Sequence, residues 1–384
     1  MTVGPGPGTG PRTYRVATIP GDGVGPEVVA AARRVVDAAG GRFGFTVDWS
    51  EHVVGGAAID AYGVAIRDDD LAACGAADAI LLGAVGGPRW SDPSATVRPE
   101  QALFALRGGL GLFANLRPVS IHPTLVASSP LRPELLEGVD MVIVRELTGG
   151  IYFGDRDEPS GEPGARTALD ILPYAEHEIS RIVRLAFEMA RTRRGIVTQV
   201  DKANVLATSR LWRRVTDEIA LEYPDVRLNH QLVDSCAMLL IRRPADFDVI
   251  VTENLFGDIL SDEAAVLAGS LGVLPSASLG ARRTEHGTFG LYEPIHGSAP
   301  DIAGRDIADP IGTILSAAMM LGTSLGCANA AEAVGGAVGR ALDDGWRTAD
   351  LADPADTGDG LVVVGTTAFA TAVIDALQAA EVVA

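Results

Sequence analysis

The feature that most constrains this chain is the alternation of strand and helix patterns along almost its whole length. Short apolar runs predict buried strands at residues 15–19, 79–82, 141–144, 196–200 and 247–252. Periodic apolar residues and capping signals predict helices at 27–39, 176–194, 258–267 and 367–380. Strands that alternate with helices pair in parallel, and the helices cover the faces of the sheet. The sequence therefore predicts an α/β fold with a largely parallel sheet.

Length and charge limit the domain organisation and the partners. A chain of 384 residues exceeds one ordinary core and suits two domains or one large α/β unit. Asp and Glu number 50 against 31 Lys and Arg, which gives a formal net charge of −19. Such a chain repels nucleic acid phosphates and anionic membranes, so we expect neither as a partner. An anionic small molecule must be met by a local cluster of cations.

The amino-terminal segment and the cysteines indicate the compartment. Residues 1–12 are rich in Gly and Pro and contain no apolar segment, which predicts a disordered tail and not a signal peptide. The three cysteines are widely spaced and form no CxxC pair, so we expect no disulfide framework. No apolar run is long enough to span a membrane. We therefore expect a cytoplasmic protein.

A glycine-rich turn follows the first predicted strand, where a dinucleotide-binding fingerprint would lie. In the GxGxxG frame that begins at Gly21, the third glycine would fall on Pro26. The spacing therefore disfavours a standard Rossmann fold and favours a tight turn close to a ligand.

Three acids are candidates for a metal site. Asp258 and Asp262 are four residues apart in FGDILSD, so both project from one helical face. Carboxylate oxygens are hard ligands that suit Mg²⁺ or Mn²⁺. An exposed acidic face is the alternative interpretation, but the preceding strand places this helix where α/β sites occur. Asp234, in the apolar segment QLVDSCAM, needs a counter-charge or a metal if it is buried.

Three arginines, a tyrosine and a lysine complete the candidate set. Arg107, Arg117 and Arg145 lie among Gly and Leu residues, and guanidinium groups grip carboxylates in pairs. A structural ion pair is the alternative for each arginine. Tyr152 lies between glycines in GGIYFG and can approach a ligand, with a packed core position as the alternative. Lys202 is the one lysine beside 30 arginines, and Lys can release its proton where Arg cannot.

A loop of small residues, HGSAPDIAG at 296–304, is a candidate nucleotide site. Asp301 in this loop can accept hydrogen bonds from a ribose diol and would repel a 2′-phosphate. The pattern favours NAD over NADP, although Asp-containing turns are common in proteins generally.

A series of longer motifs makes the chain resemble a known family. Eight motifs occur in the order found in the isocitrate/isopropylmalate family of metal-dependent β-decarboxylating dehydrogenases. They are GDGVGPE, LLGAVGGPRW, LFANLRP, VRELTGGIYFG, DKANV, FGDILSD, GSLGVLPSASLG and EPIHGSAPDIAG. The resemblance runs from about residue 14 to the end and is greatest to the isopropylmalate branch. It implies an isopropylmalate dehydrogenase-like two-domain fold that is not a Rossmann fold. Residues 13–112 plus 269–384 would form a cofactor-binding domain, and residues 113–268 would form a second domain for dimerisation and for the metal and substrate.

The resemblance also implies substrate and proton-transfer roles. Arg107, Arg117 and Arg145 would clamp the carboxylates of a malate. Lys202 would assist removal of the hydroxyl proton, and Tyr152 would protonate the enol left after CO₂ departs.

Metal and cofactor positions follow from the same resemblance, together with a homodimer whose subunits share each active site. Asp258 and Asp262 would bind Mg²⁺ or Mn²⁺ together with Asp234 from the neighbouring subunit. Asp234 would also border the substrate, and Lys202 would come from the same neighbouring subunit. The residues that match NAD-binding positions are Asn204, Glu293, His296, Gly297, Ser298, Ala299, Asp301 and Asp309.

Substrate choice depends on the pocket wall. Leu103 and Phe104 align with the helix that contacts the C3 substituent of the malate. An apolar wall accepts an isopropyl group and disfavours the third carboxylate of isocitrate or homoisocitrate. The family commonly has Leu where Phe104 stands, Lys where Gly108 stands and Asn where Asp309 stands.

The resemblance therefore implies NAD-dependent oxidative decarboxylation of 3-isopropylmalate to 4-methyl-2-oxopentanoate and CO₂, a step of leucine biosynthesis. Because of Phe104, the first alternative is a sister enzyme for another 3-substituted malate, D-malate or tartrate. The second alternative is a non-catalytic regulatory paralogue. Residues 155–167, rich in Gly, Pro and Glu, are predicted as a loop.

Overall fold

The computed structural model describes residues 12–92, 95–352 and 360–379. The strands in these ranges are β1 (Arg12–Gly21), β2 (Phe45–Glu51), β3 (Ala79–Ala84), β4 (Leu112–Ser120), β5 (Asp140–Glu146), β6 (Arg156–Ser160), β7 (Thr167–Asp170), β8 (Ile196–Asp201), β9 (Arg227–Leu232), β10 (Val249–Thr252), β11 (Pro275–Arg283), β12 (Thr288–Pro294), β13 (Trp346–Arg347) and β14 (Val362–Val363). The α-helices are α1 (Gly25–Phe43), α2 (Gly56–Tyr62), α3 (Asp68–Ala76), α4 (Glu100–Gly109), α5 (Glu176–Arg191), α6 (Ala207–Ala220), α7 (Val233–Arg242), α8 (Asn254–Ala265), α9 (Ile311–Thr323), α10 (Ala328–Asp343) and α11 (Thr366–Ala379).

Ten strands of the described ranges form one sheet, in the order β2-β1-β3-β12-β11-β4-β5-β10-β8-β9. The strands β2, β1, β3 and β12 pair in parallel, and so do β5, β10, β8 and β9. The strands β11 and β4 between them pair antiparallel to their neighbours. The predicted α/β fold with a largely parallel sheet is confirmed. Half of the sheet comes from the two chain ends and half from the middle, although the exact domain boundaries stay a prediction.

Both faces of the sheet are buried at β1 and β3. Val16 and Leu81 enter one apolar cluster, whereas their neighbours Ala17 and Ile80 enter another. Successive side chains of a strand point to opposite faces, so helices must cover both sides of β1 and β3. None of the helices in the described part of the chain is both long and apolar enough to cross a bilayer.

Most predicted elements are present, several with shifted boundaries, and two of these shifts bear on the site or on the predicted tail. The helix predicted from residue 258 begins at Asn254, because the Glu253 side chain accepts hydrogen bonds from the first free N–H groups of α8. Arg12, which composition assigned to the tail, is the first residue of β1 and pairs with Phe45 of β2. Residues 1–11 of the predicted tail lie outside the described ranges.

The prediction of a loop at residues 155–167 is wrong at both ends of the segment. Its ends form β6 and β7, which pair as an exposed antiparallel hairpin. Composition suggested a loop because Gly161 and Gly164 lie at the turn of this hairpin, where both have positive φ.

Candidate active site

The carboxyl ends of four parallel strands meet at one edge of the sheet. Arg145 is the penultimate residue of β5, and α8, which carries Asp258 and Asp262, follows the neighbouring β10. Lys202 directly follows β8, and Asp234 lies in the first turn of α7, directly after β9. The topology therefore delivers five predicted site residues to the same edge.

Arg145 is buried and bonded through all three side-chain nitrogens. Its Nε and Nη2 donate to Oδ1 of Asn254 at 3.0 and 2.8 Å, and its Nη1 donates to Oδ1 of Asp258. Burial, together with the charges of Arg117 and Arg107, lowers the pKa of Arg145 to about 10. The Asp258 carboxylate opposes that shift. Arg145 is therefore still a cation at neutral pH, and Arg117 and Arg107 lie close enough to repel it.

Arg117 lies between the two acids of α8. Its Nη1 donates to Oδ1 of Asp262 at 2.9 Å and to Oγ of Ser261 at 2.7 Å, and its Nη2 lies 3.9 Å from Oδ1 of Asp258. Its Nε donates to Oδ1 of Asn115 at 2.8 Å. A guanidinium group therefore offsets the repulsion between the two carboxylates.

Tyr152 is half-buried and bonded to the same acid as Arg145. Its hydroxyl donates to Oδ2 of Asp258 at 2.9 Å. Burial and the Asp258 carboxylate raise the pKa of Tyr152 to about 12. The phenol is therefore protonated at neutral pH and faces the site, not the core.

Arg107 links α4 to the end of β12. Its Nη2 donates to Oε1 of Glu293 at 2.8 Å, and the two side chains are 14% and 10% exposed. Its Nε is buried and has no partner among the described residues. We call five of these residues the arginine–carboxylate cluster: Arg107, Arg117, Arg145, Asp258 and Asp262. Each arginine has an acidic partner, as the alternative interpretation of an ion pair expected.

The predicted pocket wall divides into an exposed and a packed part. Phe104 is 42% exposed, and its ring packs edge-on against Phe153 with the centroids 5.7 Å apart. Because Phe153 follows Tyr152, this contact brings the aromatic wall next to the arginine–carboxylate cluster. Leu103 is half-buried and packs against the apolar cluster beneath α4.

Lys202 and Asp234 form a second, separate pair. Nζ of Lys202 donates to Oδ1 of Asp234 at 2.6 Å, and the side chains are 27% and 63% exposed. The Lys202 ammonium group lowers the pKa of Asp234. The strands β5 and β9 that lead to Arg145 and Asp234 are three strand spacings apart, roughly 14 Å.

The acids fit a divalent cation only in part within one chain. Asp258 and Asp262 supply hard oxygen ligands from one helical face. The described residues contain no group of three or more His, Cys, Asp and Glu side chains able to hold a metal ion. Among the described residues of a single chain, Asp234 is therefore not grouped with the other two acids.

A cleft of about 390 Å³ lies beside the loop of small residues. Its wall is mainly apolar and includes Ala299 and Ile302, together with the polar groups of His296, Asp309 and Asp350. A pocket of mixed apolar walls with a few polar groups is typical of a cofactor site.

Two buried polar atoms at this cleft have no partner in the described part of the chain: Nε2 of His296 and Oδ2 of Asp309. Burial raises the pKa of Asp309 well above its usual value, and the nearby Asp350 adds to the shift. Burial lowers the pKa of His296. Both groups are therefore held towards their uncharged forms, and the open atoms suit a polar ligand without charge at that point.

The glycine-rich turn after β1 supports the cofactor loop. The N–H of Val24 donates to the carbonyl of Ser298 at 2.8 Å, and a Cβ on Gly23 would lie 1.8 Å from that carbonyl. Glycine is also required there because Gly23 has φ of +58°. Ser298 is thereby buried against the turn, while Gly297 and Asp301 are exposed.

Asn204 is not brought to the cleft within one chain. It is exposed in the segment after β8, five strand spacings from β12, which is roughly 24 Å. Asp301 is exposed and has no hydrogen bond among the described residues, so it is free to meet a ligand.

Sequence reasoning missed the residues that hold the cluster together. Asn254 accepts both Arg145 bonds and donates to the carbonyl of Gly149 at 3.0 Å. Tyr174 accepts from the N–H of Asn254 at 3.0 Å, and a Cβ on Gly257 would lie 2.6 Å from Cγ of Arg145. The available sequence signal for Asn254 was its position between a predicted buried strand and the helix that carries the two acids.

Comparisons with known proteins identify the family. The model of the isocitrate/isopropylmalate dehydrogenase family matches residues 15–373. A 3-isopropylmalate dehydrogenase of Anaeromyxobacter dehalogenans is 57% identical over 88% of this chain and 94% of its own length, and one of Geobacillus kaustophilus is 58% identical over 88% and 90%. Among solved structures, an isocitrate dehydrogenase from Methylococcus capsulatus is 34% identical with a TM-score of 0.81, over 95% of this chain and 99% of its own. A β-decarboxylating dehydrogenase from Thermococcus kodakarensis is 37% identical with a TM-score of 0.74, over 95% and 96%. The chain therefore belongs to the isocitrate/isopropylmalate dehydrogenase family of enzymes.

Proposed function

We propose that this enzyme catalyses the NAD-dependent oxidative decarboxylation of 3-isopropylmalate to 4-methyl-2-oxopentanoate and CO₂, a step of leucine biosynthesis. The observation that carries the proposal is the convergence of three guanidinium groups, two acids and a protonated phenol beside an apolar wall. The relatives that share more than half of their residues with the chain are named for this reaction.

The arginines bind the two carboxylates of the substrate. Each of Arg107, Arg117 and Arg145 is bonded to an acid of the protein, so a malate carboxylate meets guanidinium groups that are already oriented. Asn115 and Asn254 hold Arg117 and Arg145 by uncharged bonds, which survive when an acidic partner is exchanged for the substrate. Phe104 offers an apolar surface to the isopropyl group and no partner for a third carboxylate.

Asp258 and Asp262 hold Mg²⁺ or Mn²⁺, with Asp234 of a second subunit as the third carboxylate. When bound, the divalent ion would supply a Lewis acid for the C2 oxygen, and NAD⁺ would supply the hydride acceptor. The fit rests on the donor set, which is hard oxygen on one helical face.

Lys202 and Tyr152 move the protons. Lys202 of the second subunit takes the hydroxyl proton of the substrate, a role that the 30 arginines of the chain cannot perform. Loss of CO₂ from the β-keto acid leaves an enol, and Tyr152 protonates its carbon. The pKa of about 12 keeps Tyr152 in the donor form at neutral pH.

The cleft beside residues 296–304 holds the adenosine part of NAD. His296 and Asp309 present the open polar atoms there, and the exposed Asp301 accepts from the ribose diol. Glu293, bonded to Arg107, connects this cleft with the substrate clamp. The remaining proposed contacts are Gly297, Ser298, Ala299 and, from the second subunit, Asn204.

The exposed apolar side chains near Lys202 support a homodimer with shared sites. Val205 is 62% exposed, Met238 61% and Ile259 58%; Ile241 of α7 and Val266, directly after α8, are also exposed. Large apolar side chains grouped in this way mark a protein interface. A second copy packed here brings its Lys202 and Asp234 towards the acids of α8.

A steady-state assay with NAD⁺ and Mg²⁺ across a series of 3-alkylmalates tests the substrate. We expect the highest kcat/KM for 3-isopropylmalate. A higher value for D-malate, tartrate or a bulkier 3-substituted malate would replace the substrate by that compound and would assign the difference to Phe104.

Complementation tests the shared site. Lys202→Arg keeps the charge but should lower kcat about 10²–10⁴-fold at neutral pH, because Arg cannot accept the proton. Asp258→Asn should also be inactive. Mixing the two variants under subunit exchange should restore about a quarter of the wild-type activity, since half the dimers are mixed and each has one intact site. No recovery would show that each site is built from one chain.

A further inference from the structure

The segment that carries Lys202 is fixed by side chains of α6. We infer that Asp201, Ser209 and Arg213 are positioning residues that hold Lys202 for proton transfer, an inference that rests on the role proposed for Lys202 above. None of the three touches the arginine–carboxylate cluster, and none belongs to the residues assigned to substrate, metal or cofactor.

Asp201 links the segment to α6 through a two-point ion pair. Its side chain is 2% exposed, and its Oδ1 and Oδ2 each accept from Arg213, through Nη2 and Nε, at 2.9 Å. Oδ1 also accepts from the N–H of Ala203 at 2.9 Å. A forked guanidinium–carboxylate pair fixes orientation as well as distance. The residue before Lys202 and the residue after it are therefore tied to one helix.

The backbone of Lys202 is itself held on both sides. Its N–H donates to Oγ of the buried Ser209 at 3.0 Å, and its carbonyl accepts from Val205 and Leu206, each at 2.9 Å. Ser209 and Arg213 are four residues apart on α6, so they face the segment from one side of the helix. The main chain of Lys202 is thus rigidly placed, while its ammonium group has Asp234 as its partner.

This rigidity has a chemical reason. The proposed base must reach a substrate that the other subunit holds, so no contact within the substrate clamp can correct its position. A displacement of about 1 Å at a reacting group can cost about 10²-fold in rate. The contacts with α6 therefore fix the position of Lys202 before the substrate binds.

Arg213→Gln tests the inference in the full-length dimer. It removes the forked pair and leaves the buried Asp201 with one N–H donor. We expect kcat to fall about 10–100-fold, while KM for 3-isopropylmalate changes less than about threefold, because the three substrate arginines are untouched. Arg213→Lys keeps the charge without the fork and should recover part of the loss.

Arg193→Gln is a matched control at the opposite end of β8. There the buried Asp248 accepts from Nε of Arg193 at 2.9 Å and from the N–H of Ile196, the first residue of β8, at 3.1 Å. This variant also disrupts a buried ion pair, so its thermal midpoint should fall, but its kcat should stay within about twofold of wild type. Equal losses of kcat in Arg193→Gln and Arg213→Gln would overturn the inference.

Two milder variants keep the test open if Arg213→Gln does not fold. Ser209→Ala removes the bond to the N–H of Lys202, and Asp201→Asn keeps the shape of the side chain and loses its charge. Each should lower kcat severalfold; the thermal midpoint should change little in Ser209→Ala and should fall in Asp201→Asn, where an amide nitrogen would face donors of Arg213 or Ala203. A kcat unchanged in both variants would contradict the positioning role.

A spectroscopic readout separates this inference from the proposed function. Lys202 is the one lysine of the chain, so reductive methylation with ¹³C-formaldehyde gives a single lysine signal beside that of the amino terminus, which titrates at lower pH. The lysine signal should be narrow in the wild type, and broader and shifted in Arg213→Gln but not in Arg193→Gln. Identical signals in the three proteins would refute the positioning role. A wild type without turnover would refute the proposed reaction and leave this measurement intact.

Discussion

The arginine–carboxylate cluster and the cleft beside His296 differ in whether their acidic groups have cationic partners. In the cluster, Asp258 and Asp262 face guanidinium groups at bonding distance. In the cleft, Asp309 is buried next to a second acid, Asp350, and its Oδ2 has no partner among the described residues. The acids of the cluster are therefore compensated by ion pairing, whereas burial in the cleft raises the pKa of Asp309.

This difference shows what each region can bind. A charged ligand can enter the cluster by exchanging partners: a cation takes the acids, and the carboxylates of a substrate take the guanidinium groups. The described residues that line the cleft include no Lys or Arg at Asp309 and Asp350, so the cleft suits an uncharged part of a ligand, such as a base or a sugar. The cluster thus suits the proposed metal ion and the carboxylates of the substrate, and the cleft suits the proposed adenosine part of NAD.

The largest effect is expected from Asp258→Asn, which removes a proposed metal ligand and the partner of Tyr152 and Arg145. Activity should fall roughly 10³-fold or more, because several kcal/mol of transition-state stabilisation is lost. Stability should fall by about 2–4 kcal/mol, since Arg145 is left buried without a counter-charge. Steady-state kinetics and thermal melts measure the two losses.

Asp262→Asn is the matched control for that variant. Its side chain is 67% exposed, and Arg117 keeps its bonds to Asn115 and Ser261. We expect a comparable loss of activity with a change in stability below about 0.5 kcal/mol. Equal losses of stability in both variants would show that burial does not distinguish the two acids.

A smaller effect is expected at the edge of the cleft, from Asp301→Lys. The exposed carboxylate is the proposed acceptor for the ribose diol, and a cation there would attract a 2′-phosphate. The ratio of kcat/KM for NAD to that for NADP should fall about 10–100-fold, as one charge-assisted bond is worth about 1.5–3 kcal/mol. Asp301→Asn should move the ratio in the same direction but less. An unchanged ratio in both variants would remove Asp301 from the cofactor site.

The sequence predicted the cluster better than the surfaces that complete it. The spacing of Asp258 and Asp262 and the place of Arg145 at a strand end follow from local periodicity, so they could be read without coordinates. The start of α8 could not, because Glu253 is an uncommon capping residue and its effect depends on side-chain geometry. The bond between Lys202 and Asp234 joins residues 32 apart through the pairing of β8 with β9, which no local pattern encodes.

A coupling of about tenfold is expected between Mg²⁺ and 3-isopropylmalate. Arg117 and Arg145 are bonded to Asp262 and Asp258, so a cation on the acids frees the guanidinium groups for the substrate. Coupling free energies of this kind are about 1–3 kcal/mol and are reciprocal. Titration calorimetry of Mg²⁺ with and without substrate measures the factor. In Arg117→Gln it should shrink, and equal Mg²⁺ affinities with and without substrate in the wild type would contradict partner exchange.

The smallest expected effect is a gain of stability in Asp309→Asn, and it has a defined pH dependence. Burial raises the folded-state pKa of Asp309, so the folded protein holds this proton more tightly than the unfolded chain does. The carboxyl group therefore costs nothing below about pH 4, its ordinary pKa, and destabilises the fold increasingly as the pH rises from there to the folded-state value. Asn can still accept from the N–H of Ile311, as Asp309 does at 2.8 Å, without an ionisation cost.

At pH 8 the Asp309→Asn variant should therefore be more stable than the wild type by about 1 kcal/mol, and at pH 5 the gain should be smaller. Asp22→Asn is a control of opposite sign: its buried carboxylate accepts from the N–H groups of Gly56, Ala57 and Gly86 at 2.7–2.9 Å, and an amide nitrogen there would face donors. Urea titrations of both variants at the two pH values measure the differences. A loss of stability in Asp309→Asn at pH 8 would mean that the Asp309 carboxylate has a compensating partner, and the contrast between the cluster and the cleft would then be wrong.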